Sequence, residues 1–207
     1  IKFLPSIETL FKGKLSLNDF ENVNLDDILQ RDIAIDKNQI HNDIAKKVIL
    51  ISGGGGSIGS ELSKQVLLCK PDKLIVLDHS EFNLYSIMET LKKVAEIHEI
   101  EAKLLPVLLS IQDKSKLESI FKEHKIDIVY HAAAYKHVPL LEQNIAQAVL
   151  NNIFGTYNLV ELSISYFCKK FILVSTDKAV RPTNIMGATK RIAELIVQAF
   201  AIQKDNS

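Results

Sequence analysis

The chain has 207 residues, 47% hydrophobic and 24% charged, a balance that supports a buried core without disulfides or metals and excludes a disordered protein. Its 25 basic and 25 acidic residues cancel, so it lacks the long-range positive field that draws nucleic acid or anionic lipid. Two isolated cysteines, Cys69 and Cys168, have neither metal-ligand nor disulfide spacing; no apolar run approaches the ~20 residues of a membrane span, the first residues do not form a signal peptide, and a cytoplasmic location is expected.

Residues 1–45 mix short apolar clusters with charges and show no sustained period, so an irregular or partly helical lead-in is expected ahead of a domain over residues 46–207. Residues 48–52, Val-Ile-Leu-Ile-Ser, form a short β-branched apolar run that ends in four glycines, the profile of a strand buried on both faces. A helix follows, with Ile58, Leu62 and Val66 as its apolar stripe and Ser57 or Ser60 as caps. The alternation then repeats: a strand over 73–78, a helix over 81–97, a strand over 102–109 broken by Pro106, a helix over 114–123 and a strand over 127–131. After a turn at Pro139, helical patterns run to about 166, a fifth strand covers 171–175, and a last helix runs from about 186 to 201. Strand and helix alternating in this way predict an α/β fold, a doubly wound parallel sheet with right-handed crossovers. Ligands of such sheets bind beyond the carboxyl ends of the strands, which directs attention to 53–59, 78–80, 110–113, 131–139 and 175–183.

The consecutive glycines Gly53, Gly54, Gly55 and Gly56, followed by Gly59, satisfy both G-x-G-x-x-G and G-x-x-G-x-x-G, and spacing alone does not choose between them. Either reading lets the backbone approach a diphosphate, with helix-start amides as donors. A P-loop is excluded, because Ser60 and Glu61 follow Gly59 where Lys and Ser or Thr are required. The motif follows a strand, opens a helix and precedes Asp78, at the end of the next strand, by nineteen residues. That context predicts a dinucleotide whose adenosine ribose meets Asp78, and the carboxylate beside His79 and Ser80, with no arginine adjacent, favours NAD over NADP. Asp78 as a cap of the next helix is the simpler alternative.

Five segments together resemble the extended short-chain dehydrogenases/reductases, and more narrowly the bacterial nucleotide-sugar 4,6-dehydratases of polysaccharide and glycan biosynthesis: residues 52–62, 77–85, 131–139 (His-Ala-Ala-Ala-Tyr-Lys-His-Val-Pro), 152–156 and 175–190 (Ser-Thr-Asp-Lys-Ala-Val-Arg-Pro-Thr-Asn-Ile-Met-Gly-Ala-Thr-Lys). The pattern is most similar to the large membrane-anchored UDP-N-acetylglucosamine 4,6-dehydratases. The resemblance implies an NAD(P)-binding Rossmann fold, a UDP-sugar substrate, and a chain that stops before the C-terminal substrate-binding part; the apolar sheet edge that the missing strands would leave exposed predicts a homo-oligomer. Such a chain would bind NAD with little turnover.

By the same resemblance, Asp177 is the proton donor at the sugar C6, Lys178 the base at C5, and Thr176 lies beside them. Gly53, Gly55, Gly56, Ser57, Ile58, Gly59, Asp78, His79, Ser80, Ile111, Ala132, Ala133 and Ala134 are expected around the cofactor, with Ser110 where the family carries an adenine-binding Asp. Asn152 is expected to support the active-site lysine. Lys136, His137 and Asn184 are candidates for the substrate, the first two as cationic contacts for a phosphate. The family's Tyr and Lys, four residues apart, are here Met186 and Lys190, on one helix face. Lys190 keeps the reach of the family lysine to the nicotinamide ribose, whereas Met186 exchanges no proton, so C4 proton acceptance falls to Thr176, Lys178 or water. His131, at a strand end, is more simply a structural histidine. The competing readings are a nucleotide-sugar 4-epimerase or dehydrogenase, which would want Tyr at 186, and a dinucleotide-binding module without chemistry.

Overall fold

A computed structural model describes residues 37–205; residues 1–36 of the expected lead-in lie outside it. Its first element, α1 (Lys37–Ile44), ends in Ile44, which is buried in the core. Then follow β1 (Val48–Ser52), α2 (Ser57–Leu68), β2 (Lys73–Asp78), α3 (Glu81–Ile97), β3 (Lys103–Leu108), α4 (Lys114–Glu123) and β4 (Ile128–His131). The second half comprises α5 (Val138–Gln143), α6 (Ile145–Val149), a π-helical turn (Leu150–Phe154), α7 (Gly155–Ser165), β5 (Lys170–Leu173), a 3-10 turn (Asp177–Ala179) and α8 (Ile185–Asp205). The strands form one sheet in the order β3-β2-β1-β4-β5, all pairs parallel. This is the doubly wound Rossmann arrangement. Among the described residues, no helix is long and apolar enough to cross a membrane.

The apolar runs of β1 and β2 are buried almost throughout because helices cover both faces, and successive side chains serve opposite layers. Ile49, Ile51, Leu74 and Val76 pack against Val66, Leu67, Ile87 and Leu91 of α2 and α3. Leu50, Ile75, Leu77 and Val129 pack against Leu117, Phe121, Leu159 and Leu162 of α4 and α7.

Three local expectations change. Pro106 lies inside β3 and does not break it. The amides of Lys103 and Leu109 donate to carbonyls on the β2 side, so by alternation position 106 faces the open edge, where a missing N–H costs no ladder bond. Pro139 stands in the first turn of α5 instead of a preceding turn, a position where its absent amide proton is not needed. In α2 the buried face is Gly59, Ser63, Val66 and Leu67, while Ile58 is 58% exposed. The small residues let the helix start press against the glycine turn, and that close approach, more than apolar periodicity, sets the rotation of the helix.

Candidate functional site

The strand order reverses between β1 and β4, and the crevice opens there. Gly53 leaves β1 with φ +68°, a left-handed conformation that disfavours side chains. The turn is tied to the end of β2: the Gly54 amide donates to the Leu77 carbonyl at 3.1 Å and the Gly55 amide to Asp78 Oδ2 at 2.9 Å. A Cβ on Gly59 would overlap the Gly53 carbonyl oxygen, so α2 starts directly on the turn. Its N-cap is Gly56, without a side-chain bond, and neither Ser57 nor Ser60 fills that role. The amides of Ser57, Ile58 and Gly59 accordingly point free of any acceptor among the described residues, a helix start with its positive end toward the crevice. Gly53, Gly56 and Gly59 line the crevice; Gly55 does not itself reach the lining, and a Cβ there would stand 2.7 Å from Asn83, which borders the larger cavity.

Asp78 does not cap α3. Ser80 does, accepting from the Asn83 amide at 3.3 Å. The buried Asp78 carboxylate instead accepts from the Gly55 and Ser80 amides, both at 2.9 Å, which fixes its direction and leaves further lone pairs toward the crevice.

The crevice consists of two cavities. One, of about 520 Å³, is lined by Asp78, His79, Ile111, Ala133, His137 and residues of α5 and α6. The other, of about 330 Å³, is lined by Ser57, Ile58, Gly59, Ser175, Thr176, Lys178, Met186 and Lys190. Gly53, Gly56, Ala132, Ala134, Tyr135 and Lys136 border both and form a waist between them. The shape suits an elongated ligand with a phosphate-rich middle.

Several expected site residues lie outside the lining. Ser80 caps α3, and Ser110 accepts from the Gln112 amide at 3.3 Å. Asn184 accepts from the Gly187 amide at 2.8 Å and so fixes the start of α8. Asn152, in the π-helical turn, is buried behind the waist; its side chain accepts from the Tyr135 amide at 2.8 Å, donates to the Tyr135 carbonyl at 3.0 Å and reaches Thr189 at 3.1 Å. Asp177 is also absent from the lining, and its side chain is 89% exposed. The Thr176 hydroxyl donates to it at 2.9 Å, and this bond, helped by the Lys178 charge, lowers its pKa.

Lys190 and Met186, one helical turn apart, do share the smaller cavity. Lys190 donates from Nζ to the Val174 carbonyl at 2.7 Å; burial lowers its pKa to about 8, with the Glu194 carboxylate pulling the other way. Lys178 is brought alongside because the 3-10 turn packs on α8 at Gly187, where a Cβ would overlap the Lys178 carbonyl oxygen. His131 is a core residue, bonded to Ser52 Oγ at 2.7 Å and Thr156 Oγ1 at 2.8 Å. Burial, with a smaller contribution from the Lys190 charge, lowers its pKa to about 3. Tyr135, at the waist, is not among the site residues expected from sequence; the one signal for it is its place directly after three alanines in the 131–139 segment.

The sequence pattern of the family described as polysaccharide biosynthesis protein matches residues 49–207. The chain is 42% identical over 205 residues to the capsular polysaccharide biosynthesis protein CapD of Staphylococcus aureus, covering 99% of this chain and 33% of that protein. It is 34% identical over 155 residues to a UDP-N-acetylglucosamine 4,6-dehydratase (inverting) of Campylobacter jejuni, covering 74% of this chain and 43% of that one. Pen from Bacillus thuringiensis superposes with a TM-score of 0.71 at 34% identity, covering 79% of this chain and 49% of that structure. The chain thus spans a third to a half of the length of these relatives. With its parallel sheet and glycine turn, it belongs to the polysaccharide biosynthesis protein family, of extended short-chain dehydrogenase/reductase type.

Proposed function

We propose that this chain is the cofactor-binding part, and part of the catalytic region, of an NAD-dependent enzyme that dehydrates a UDP-N-acetylhexosamine to a 4-keto-6-deoxy sugar nucleotide. The observation that carries the reading is the joining, through one waist, of a cavity holding Asp78 to a cavity holding Thr176, Lys178 and Lys190. The glycine turn fits a dinucleotide, since the space a Cβ would need is taken by backbone and free amides stand at its rim. When bound, NAD would supply a temporary acceptor for the hydrogen that leaves C4 and is returned at C6.

Asp78 then accepts from the adenosine ribose hydroxyls, and its charge disfavours a 2′-phosphate. The amides at the start of α2, with Lys136 at the waist, neutralise the diphosphate. Lys190, held on the Val174 carbonyl, reaches the nicotinamide ribose. Lys178 withdraws the C5 proton made acidic by the C4 ketone, and Asp177 gives a proton to the departing C6 hydroxyl, so that water leaves. An exposed carboxyl with a lowered pKa is a poor acid, so this role needs Asp177 covered by the substrate or another part of the protein, which raises its pKa by desolvation. Met186 offers no exchangeable proton, and acceptance of the C4 proton falls to Thr176, Lys178 or a water they hold.

Incubation of this chain, and of a longer protein that carries it, with UDP-N-acetylglucosamine and NAD in D2O tests the reading. Deuterium at C5 and a 4-keto-6-deoxy product are expected from the longer protein. A C4 epimer with no exchange at C5 would point to an epimerase, and NAD binding with neither outcome to a module without chemistry.

A further inference from the structure

Beside the waist stands a ring pair that the proposed chemistry does not use: Tyr135 borders both cavities and His79 lines the larger one. β1 lies between β2 and β4 in the sheet, so the residues that follow β2 and those that follow β4 stand on opposite sides of the glycine turn. From the β2 side comes His79 and from the β4 side Tyr135, and their rings meet edge to face with centroids 6.0 Å apart, within the range of favourable aromatic pairs. The Tyr135 side chain is free to serve this contact because its backbone is fixed independently, amide and carbonyl both held by Asn152. A ligand that fills both cavities passes the waist, with Gly53 and Gly56 beneath it and Tyr135 at its border.

We propose that Tyr135 and His79 form a clasp over the middle of the bound dinucleotide, which slows its departure without taking part in its chemistry. The inference rests on the NAD reading and adds to it the residue pair that sets cofactor residence. An enzyme that takes hydrogen from a substrate and returns it to the same molecule gains from a cofactor that stays, because exchange between the two steps would strand the intermediate. A ring pair suits this role, since it opens by side-chain rotation to admit the ligand and closes by apolar contact over it.

The test is release of NADH from the 207-residue chain, followed by the fall in bound-cofactor fluorescence on chasing with excess NAD. Tyr135→Ala is expected to release NADH about tenfold faster, while Tyr135→Phe, which keeps the ring, stays within about twofold of the unmodified chain. His79→Ala is expected to accelerate release as well, and His79→Ala/Tyr135→Ala to accelerate it by less than the product of the two single effects, since the shared ring contact can be lost only once. If Tyr135→Ala does not fold, the comparison of His79→Ala with His79→Phe carries the same expectation. Release from Tyr135→Ala at the unmodified rate, or strictly additive effects of the two alanines, would overturn the clasp while leaving NAD binding intact. Failure of the unmodified chain to bind NADH would remove the NAD reading and the clasp together.

Discussion

The two ends of the crevice are built by different means. At the end proposed for the adenosine, position is set mainly through the backbone: the Gly59 approach to Gly53, the Gly54 bond to the Leu77 carbonyl and the Gly55 amide bond to the Asp78 carboxylate leave little freedom, and the flanking strands are central and buried. At the end proposed for the chemistry, the reactive end, position depends on side chains at the sheet edge. β5 is half-exposed along its length, Asp177 is 89% and Lys178 55% exposed, and their place is held by the contact of Lys178 with Gly187 and the bond from Lys190 to Val174. Cofactor binding is therefore expected of this chain by itself, while catalysis requires something that covers the reactive end.

The largest effect should come from breaking the rigid end. Gly59→Ala forces a methyl group into the Gly53 carbonyl, and because the obstacle is backbone it has no cheap relief. NADH binding, measured by fluorescence titration, should fall more than about a hundredfold, and the melting temperature should drop with it.

His131 lies beneath both ends, linking β1 to α7 through Ser52 and Thr156. Its pKa falls from 6.5 to about 3 on folding, so as pH drops the unfolded chain takes up the proton first. The stability this group contributes is complete above pH 6.5 and is lost as pH falls toward 3, on the order of 4 kcal/mol across the window. Urea unfolding from about pH 7 to about pH 4 should show the decline, and His131→Gln should flatten it; an equally steep decline in that variant would place the acid sensitivity elsewhere.

Gly187→Ala breaks the reactive end alone, by displacing the Lys178 carbonyl. NADH affinity should change less than about threefold, while dehydratase turnover in a longer active protein should fall about a hundredfold, as expected for misplacement of a base by about 1 Å. Equal losses in both would show that the two ends are not separately built.

Phe167 serves as a control remote from both ends. It follows α7 at φ +57° and is 89% exposed, with the Phe167 amide on the Ile164 carbonyl and the Cys168 amide on the Ser163 carbonyl, the closing motif in which glycine is preferred. Phe167→Gly should raise stability by about 1 kcal/mol in urea unfolding, with NADH binding unchanged.

The same contrast governs what the sequence made legible. β1, β2 and the extent of α3 are readable because buried runs, glycines and the Ser80 cap are local signals. The glycine turn and the position of Asp78 at the end of β2 are readable for the same reason. The rotation of α2 is not readable from apolar spacing, since Gly59 and Ser63 face inward through close approach. Pro106 reads as a break because the sequence does not reveal which strand lies at an edge. Tyr135 and the exposure of Asp177 are set by how three strand ends converge, and no local pattern carries that. Met186 and Lys190 are placed correctly on one face by helical period, yet the role left open by Met186 depends on which groups line the cavity with it.

The most direct measurement is a crystal structure of the chain with NAD. We expect the adenosine ribose on Asp78, the diphosphate over Gly53–Gly59 beneath Tyr135, and the nicotinamide in the cavity of Thr176, Lys178 and Lys190. A nicotinamide lying away from those three side chains, or a dinucleotide bound outside the glycine turn, would contradict it.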